Sequence, residues 1–324
     1  MQREDRLLEG AFDTHAHGHP EFALDMPPRV DNIEWARLAA AAGMRGFIVK
    51  SHIFPTTQAA NMMRILQPGL EIHGGISLNP PVGGLSPLSV ELAAQTGGRI
   101  VWMPTWSARQ DPPKPSIFRE RMKPWITTLE TDPDSVPDLT ILGADGTLRS
   151  ETVRIIELCR QYDLVLATGH LPIDSSLILA EEAEARGVRL LLTHPLSGSV
   201  AATIEDQKTI VAHGGTIEHV FIGAMPMHQR MHPRRIVDAV AAVGAEHCVM
   251  GSDAIEGWNP PAPEIMRMYI ATMLALGVRE AEVRLMTHEN PGRLFRLDEA
   301  APAGSPPPAE QSHNHSAERP EVTP

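Results

Sequence analysis

Short β-rich runs alternate with helix-patterned stretches along most of this chain, and that alternation limits the fold more than any other feature. The runs are Ala11–His17, Arg45–His52, Leu70–Asn79, Arg99–Pro104, Leu164–His170, Arg189–His194, Thr216–Ile222 and Cys248–Asp253. Helical patterns of the length that a parallel βα connection needs separate them. Helix starts fall near Asp31, Thr56, Ser86, Ser150, Ser175, Ile204, Pro233 and Pro263, several of which are N-cap residues or first-turn prolines. Gly43, Gly187, Gly214 and Gly244 stand where helices should stop. Eight βα units predict an α/β chain folded as a (β/α)8 TIM barrel.

Two stretches break the alternation. Residues 107–149, rich in proline and charge, form an insertion after strand 4, with a small hairpin expected over Leu139–Leu148 around Ala144-Asp145-Gly146. Such an insertion lies at the C-terminal face of a barrel, as a substrate lid, a surface elaboration or a subunit contact. Residues 299–324 are Pro, Ala, Ser and Glu with almost no apolar side chains, which predicts a disordered C-terminal tail. What remains matches the ~250 residues of one barrel, so residues 1–298 read as a single domain.

Composition narrows the partners. Across 324 residues, 40 acidic against 28 basic side chains give a net charge of -12, which argues against nucleic acid and leaves a small-molecule substrate. Cys159 and Cys248 cannot form a disulfide framework, so an intracellular protein is expected. The opening MQREDRLLEGAFDTHAH lacks the apolar core of a secretory signal, and no run approaches ~18 apolar residues. These features predict a cytoplasmic protein with no membrane contact; a homo-oligomer stays open. Fifteen histidines are many for this length, and their placement carries the functional argument.

The sharpest motif is Asp13-Thr14-His15-Ala16-His17. Alternate residues of a strand share a face, which sets His15 and His17 on one side about 7 Å apart along the chain. Two neutral imidazoles there can bind one divalent ion, although a pair of surface histidines has the same spacing. Three further strands end in a ligand type: Thr168-Gly169-His170, Leu192-Thr193-His194-Pro195 and Gly251-Ser252-Asp253. Barrel closure converges those ends on one axis, and random placement does not easily produce that pattern.

On these residues the chain resembles the amidohydrolase superfamily of metal-dependent (β/α)8 hydrolases over about residues 10–298. His15-x-His17, His170, His194 and Asp253 carry the resemblance, with Asn290-Pro291-Gly292-Arg293-Leu294-Phe295 similar to its closing helix. The resemblance implies one or two divalent metal ions, zinc first with Mn2+, Fe2+ or Co2+ as other choices. It also implies a water activated for attack on a carbonyl or phosphoryl centre. Asp253 would both bind metal and carry the proton from water to the leaving group.

One departure matters. Many members bridge two metals with a carboxylated lysine or a glutamate at the end of strand four, and Arg99-Ile100-Val101-Trp102-Met103-Pro104 offers neither. Lys50 instead closes the strand-two run Phe47-Ile48-Val49. Desolvation would lower its pKa and favour the neutral amine that reacts with CO2, making a bridging carboxylate. A charged Lys50 paired with Asp253 or with a substrate carboxylate is the competing reading.

Weaker candidates follow from position. His52 and Asn79 end strands two and three, Trp106 and Arg109 open the insertion, and Trp258 follows Asp253; each is a candidate substrate contact. Glu218 and His219 are adjacent in strand seven, so only one can face the barrel axis; His219 joins the substrate-facing set, and either could orient a ligand imidazole. His73 begins its strand at the stability face, and the stretch around His228 has no readable role. The leading function is hydrolysis of an amide, cyclic amide, lactone or ester. The alternatives are a single-metal decarboxylase of the same superfamily and a catalytically silent barrel acting as a binding protein. A phosphoesterase relative that shares the Asp-x-His-x-His opening expects a His two positions after the late Asp, where Ile255 stands.

Overall fold

Successive parallel pairing from β1 to β8 organises the computed structural model, which describes residues 2–21, 27–110, 130, 135–226 and 228–299. The strands are β1 Phe12–His17, β2 Gly46–Lys50, β3 Glu71–Ser77, β4 Gly98–Trp102, β5 Val165–Ala167, β6 Leu190–Leu192, β7 Thr216–Val220 and β8 Cys248–Gly251. They form one eight-stranded sheet in chain order, every pair parallel. The sheet closes where the Asp253 N–H donates to His15 O at 2.6 Å and the His17 N–H to Ala254 O at 2.9 Å. The chain is therefore a (β/α)8 barrel.

The outer layer holds α1 Arg3–Leu8, α2 Asn32–Ala41, α3 Thr57–Leu66, α4 Pro87–Gln95, α5 Ser150–Gln161, α6 Ile173–Arg186, α7 Ile204–Ala212, α8 Arg234–Val243 and α9 Ala262–Ala275. Two of the expected caps are in place, Asp31 accepting from the Glu34 N–H at 2.8 Å and Ser86 from the Ser89 N–H at 3.2 Å, whereas Thr56 makes no side-chain cap and Ser150 and Ser175 lie within α5 and α6. Helix α1 was not expected; only its Leu7 and Leu8 are buried, too short an apolar pattern to read as periodic. After α9 come α10 Glu280–Arg284, a π-helical turn over Leu285–Glu289 and α11 Asn290–Phe295. Asn290 donates to Ala245 O and Cys248 O, which pins this segment under the barrel.

The barrel interior is packed with side chains. Phe12, Ile48, Ile100, Trp102, Val165, Ala167, Leu191 and Val249 fill it, and Leu294 and Phe295 plug its lower end, the Phe12 and Phe295 rings 5.9 Å apart. Burial of each Val, Leu, Ile or Phe side chain among them is worth roughly 1.5–3 kcal/mol. His73 is buried at that end, 6.5 Å from the Phe12 ring. A second cluster lies between the sheet and the helices. The hairpin at the end of the insertion is present: Leu142 bridges Leu148 antiparallel, and the Gly143 N–H donates to Thr147 O at 2.8 Å. The rest of the proposed lid, 111–129 and 131–134, and the tail 300–324 lie outside the described residues. Among the described residues no helix is long and apolar enough to cross a membrane.

Candidate metal-type centre at the barrel mouth

A β-bulge in β1 sets the phase of the site. Phe12 pairs with Gly46 and His17 with Lys50, so five steps along β1 match four along β2, with the slip between Asp13 and Ala16. Without the extra residue, Phe12 and His17 would face opposite sides. With it, Phe12 packs the lower interior while His15 and His17 enter the mouth beside Lys50. Asp13 braces the bulge, accepting from the His15 N–H at 3.1 Å and the Ser252 N–H at 2.9 Å. Burial pushes its carboxyl up to about 7 against those hydrogen bonds.

The other strands stop short of their functional residues. β5 ends at Ala167, β6 at Leu192 and β8 at Gly251, and the chain then turns. His194 has φ 27° and Asp253 φ 52°, left-handed values that cost a non-glycine residue energy and concentrate at functional sites. Gly169, at φ 61°, sets the turn before His170; a Cβ there would lie 2.2 Å from Met103 O. These turns aim His170, His194 and Asp253 into one cavity with His17 and Lys50.

Three donor atoms come together at its floor. His15 Nε2 and His17 Nε2 each lie 3.1 Å from Asp253 Oδ1, and the three fall within 4.8 Å of one another. Lys50 Nζ is 3.0 Å from the same His15 Nε2 and 5.6 Å from the Trp102 ring centre. The His170 and His194 rings are 4.8 Å apart, and His194 is 5.9 Å from His15. All six residues proposed from sequence as metal ligands are thus brought together.

Carboxylates stand behind the His-x-His pair. His15 Nδ1 is 2.9 Å from Glu218 Oε2, and Thr14 donates to the other oxygen at 2.8 Å. His17 Nδ1 lies 3.5 Å from Glu21 Oε2, while Glu21 Oε1 accepts from the His52 N–H at 2.6 Å. A carboxylate hydrogen-bonded to the distal nitrogen, as Glu218 is to His15, favours binding through the other nitrogen, whereas His17 Nδ1 and Glu21 Oε2 only face each other, neither with a hydrogen-bond partner among the described residues. Glu21, His17 and His52 also form a second close donor group. Burial alone would push His15 down, but Asp253 and Glu218 outweigh it and Lys50, taking it to about 9. Burial pushes Asp253 up, yet His15 and His17 hold its carboxylate well below the usual range. Desolvation lowers the Lys50 ammonium, and burial drives His170 well below and His194 down to about 3, so both rings are neutral.

The remaining candidates separate. Glu218 pairs with Val249 of the barrel interior and faces inward, so it is Glu218 that touches a candidate ligand. His219 faces the other way, yet it borders the cavity where this extends behind β7. Among the described residues neither of its ring nitrogens has a hydrogen-bond partner, and burial pushes it down to about 4. His52 also lines the cavity, its Nδ1 2.8 Å from Thr105 Oγ1. Asn79 is buried beneath it, donating to His52 O and Thr105 Oγ1 and accepting from the Thr105 N–H and Ser107 Oγ. Its amide holds the loops rather than facing the cavity. Trp106 is half-buried, Trp258 is 39% exposed and Arg109 is exposed. Sequence reasoning missed Glu21, which stands four residues past His17 and beyond the strand, so no strand pattern marked it.

This architecture, with imidazoles and a carboxylate at the strand ends, has the fold of the amidohydrolase-superfamily barrels. An amidohydrolase from Pseudomonas aeruginosa superposes with TM-score 0.57 at 15% identity over 91% of this chain and 98% of its own. 2,6-Dihydroxybenzoate decarboxylase from Rhizobium gives 0.51 at 13% identity over 90% and 100%. A TatD homologue from Escherichia coli gives 0.51 at 17% over 89% and 99%. Residues 10–218 match the model of a family of unknown function, DUF6282, and the chain belongs to that family. No curated protein gives a significant sequence match.

Proposed function

We propose that the chain is a metal-dependent hydrolase acting on the C–N or ester bond of a small molecule, such as an amide, cyclic amide or lactone. The observation that supports this best is the convergence of His15 Nε2, His17 Nε2 and Asp253 Oδ1. Two imidazoles with their distal nitrogens facing carboxylates, plus one ionised carboxylate, are a donor set that fits a divalent ion of the zinc type. His15, His17 and Asp253 would hold one ion. His170 and His194 would hold a second, with Lys50, carboxylated by CO2, between them. Such an ion, when bound, polarises the scissile carbonyl and brings the pKa of water towards ~7.

The chain's own groups do the rest. Asp253, held ionised by its two histidines, accepts a proton as water adds to the carbonyl and passes it to the departing nitrogen or oxygen. His52 and His219 in the cavity wall contact the substrate. Asp253→Asn should keep metal and lose at least ~100-fold in turnover on a panel of lactones and cyclic amides. An unchanged rate removes Asp253 from the chemistry.

One observation favours a decarboxylase as the second reading. Lys50 Nζ over the Trp102 ring suits an ammonium, which would pair with a substrate carboxylate beside a single ion. Metal analysis with an intact-mass measurement separates the two: two ions and one added CO2 for the hydrolase, one ion and a free lysine for the lyase.

A further inference from the structure

A further histidine–carboxylate pair stands apart from the candidate ligand cluster, with its imidazole on the same cavity. His228, in the loop after β7, lines the cavity with its Nδ1 3.1 Å from Glu256 Oε1. Glu256, from the loop after β8, is almost wholly buried, and its other oxygen accepts from Asn259 Nδ2 at 2.7 Å. Asn259 is buried as well. A desolvated carboxylate costs several kcal/mol unless it is paired and hydrogen-bonded, and here both oxygens are used, with two loops needed to assemble the set. A surface ion pair needs no such construction. A carboxylate that accepts from Nδ1–H orients an imidazole so that Nε2, on the far side of the ring, exchanges the proton. The β7 and β8 ends and α8 also bring Val220, Ile222, Met231, Ile236 and Ile255 to this cavity, an apolar group beside His219, Gln229 and Asp253.

We propose that His228 is a general acid of this site. It gives its Nε2 proton to the leaving atom of a substrate whose apolar leaving group rests against those apolar side chains, with Glu256 as its positioning residue. The inference rests on the hydrolase reading above and replaces its last step: Asp253 still takes the proton of the attacking water, but His228 rather than Asp253 protonates the leaving atom. Water forms the new C–O bond and yields one proton to Asp253. The bond from carbonyl carbon to the leaving atom breaks, its electron pair stays on that atom, and the His228 proton neutralises it. The proton on Asp253 then passes through solvent to His228, which restores both groups and leaves the net addition of one water.

The test compares the zinc-loaded wild type with His228→Gln and Glu256→Gln on p-nitrophenyl, phenyl and benzyl acetates. A general acid matters only where the leaving group is a poor one. His228→Gln should lose about 100-fold or more on benzyl acetate and stay within about threefold on p-nitrophenyl acetate. Glu256→Gln should show a smaller loss in the same order. Added imidazole should restore His228→Gly on the benzyl ester alone. Zinc content and melting temperature should match the wild type, which excludes a folding or metal-loading cause. Equal losses across the series, or none, overturn the role of His228 alone. Wild-type protein that holds zinc yet cleaves none of the three esters overturns the hydrolase reading and this role with it.

Discussion

Replacing Glu218 by glutamine isolates what a buried carboxylate does for the candidate metal ligand His15. Glu218 is wholly buried, with one oxygen 2.9 Å from His15 Nδ1 and the other 2.8 Å from the Thr14 hydroxyl. Its charge orients His15 with Nδ1–H towards the carboxylate, which leaves Nε2, beside Asp253 and Lys50, as the nitrogen a metal ion would take. Glutamine keeps the volume and one acceptor but removes the charge, and it sets an amide donor against a hydroxyl that can turn to accept. The barrel should therefore fold, and metal should bind more weakly. Loss of such a partner typically costs 10–100-fold in metal affinity, or about 1.4–2.7 kcal/mol. The measurement is the zinc Kd of metal-free protein by chelator competition. Thr14→Val serves as control: it removes the neighbouring hydrogen bond but leaves the charge, so its loss should be the smaller. A Glu218→Gln protein that binds zinc as tightly as the wild type, with an unchanged melting temperature, would refute the argument.

Lys50→Met should lower the metal content from two ions to one per chain and abolish the CO2 adduct in the intact mass; an unaltered ratio rules out the bridge. Asn79→Ala should destabilise by about 2–4 kcal/mol in urea unfolding, because the Thr105 N–H, Ser107 hydroxyl and His52 carbonyl lose a buried partner together. His73→Phe tests acid stability. Burial, then Arg99, Arg64 and Arg45, push His73 from 6.5 down to about 3, so below pH 6.5 the unfolded chain takes up a proton that the folded one refuses. Its contribution is complete above pH 6.5 and is lost towards pH 3 at about 1.4 kcal/mol per pH unit, roughly 2 kcal/mol by pH 5. The wild-type curve of unfolding free energy against pH should fall more steeply than that of His73→Phe in this window; parallel curves would count against the depressed value.

The eight strands were legible because a parallel barrel buries both faces of its sheet, which leaves continuous apolar runs between helical patterns. The ligand types were legible because they follow those runs directly. Their aim was not. Strand period alone puts His15 and His17 on one face, but which face depends on one bulge residue, and nothing in Asp13-Thr14-His15 announces it. Likewise, Thr168-Gly169-His170 and Gly251-Ser252-Asp253 were read as strand, whereas the regular strands end at Ala167 and Gly251. An extended residue would continue along the barrel axis; left-handed turns at Gly169, His194 and Asp253 bend these side chains across it. The orienting groups were hidden for a different reason. Glu218 stands 203 positions from His15, so only closure of the barrel makes them neighbours, whereas Glu256 stands 28 positions from His228 on the loop of the adjoining strand. A sequence shows donor atoms where local period is strong, while the carboxylates facing them come from a distant strand, as Glu218 does, or from a loop with no period, as Glu21 does. In Glu218-His219 the more conspicuous metal-ligand type faces away from the axis, and it is the acid beside it that meets His15.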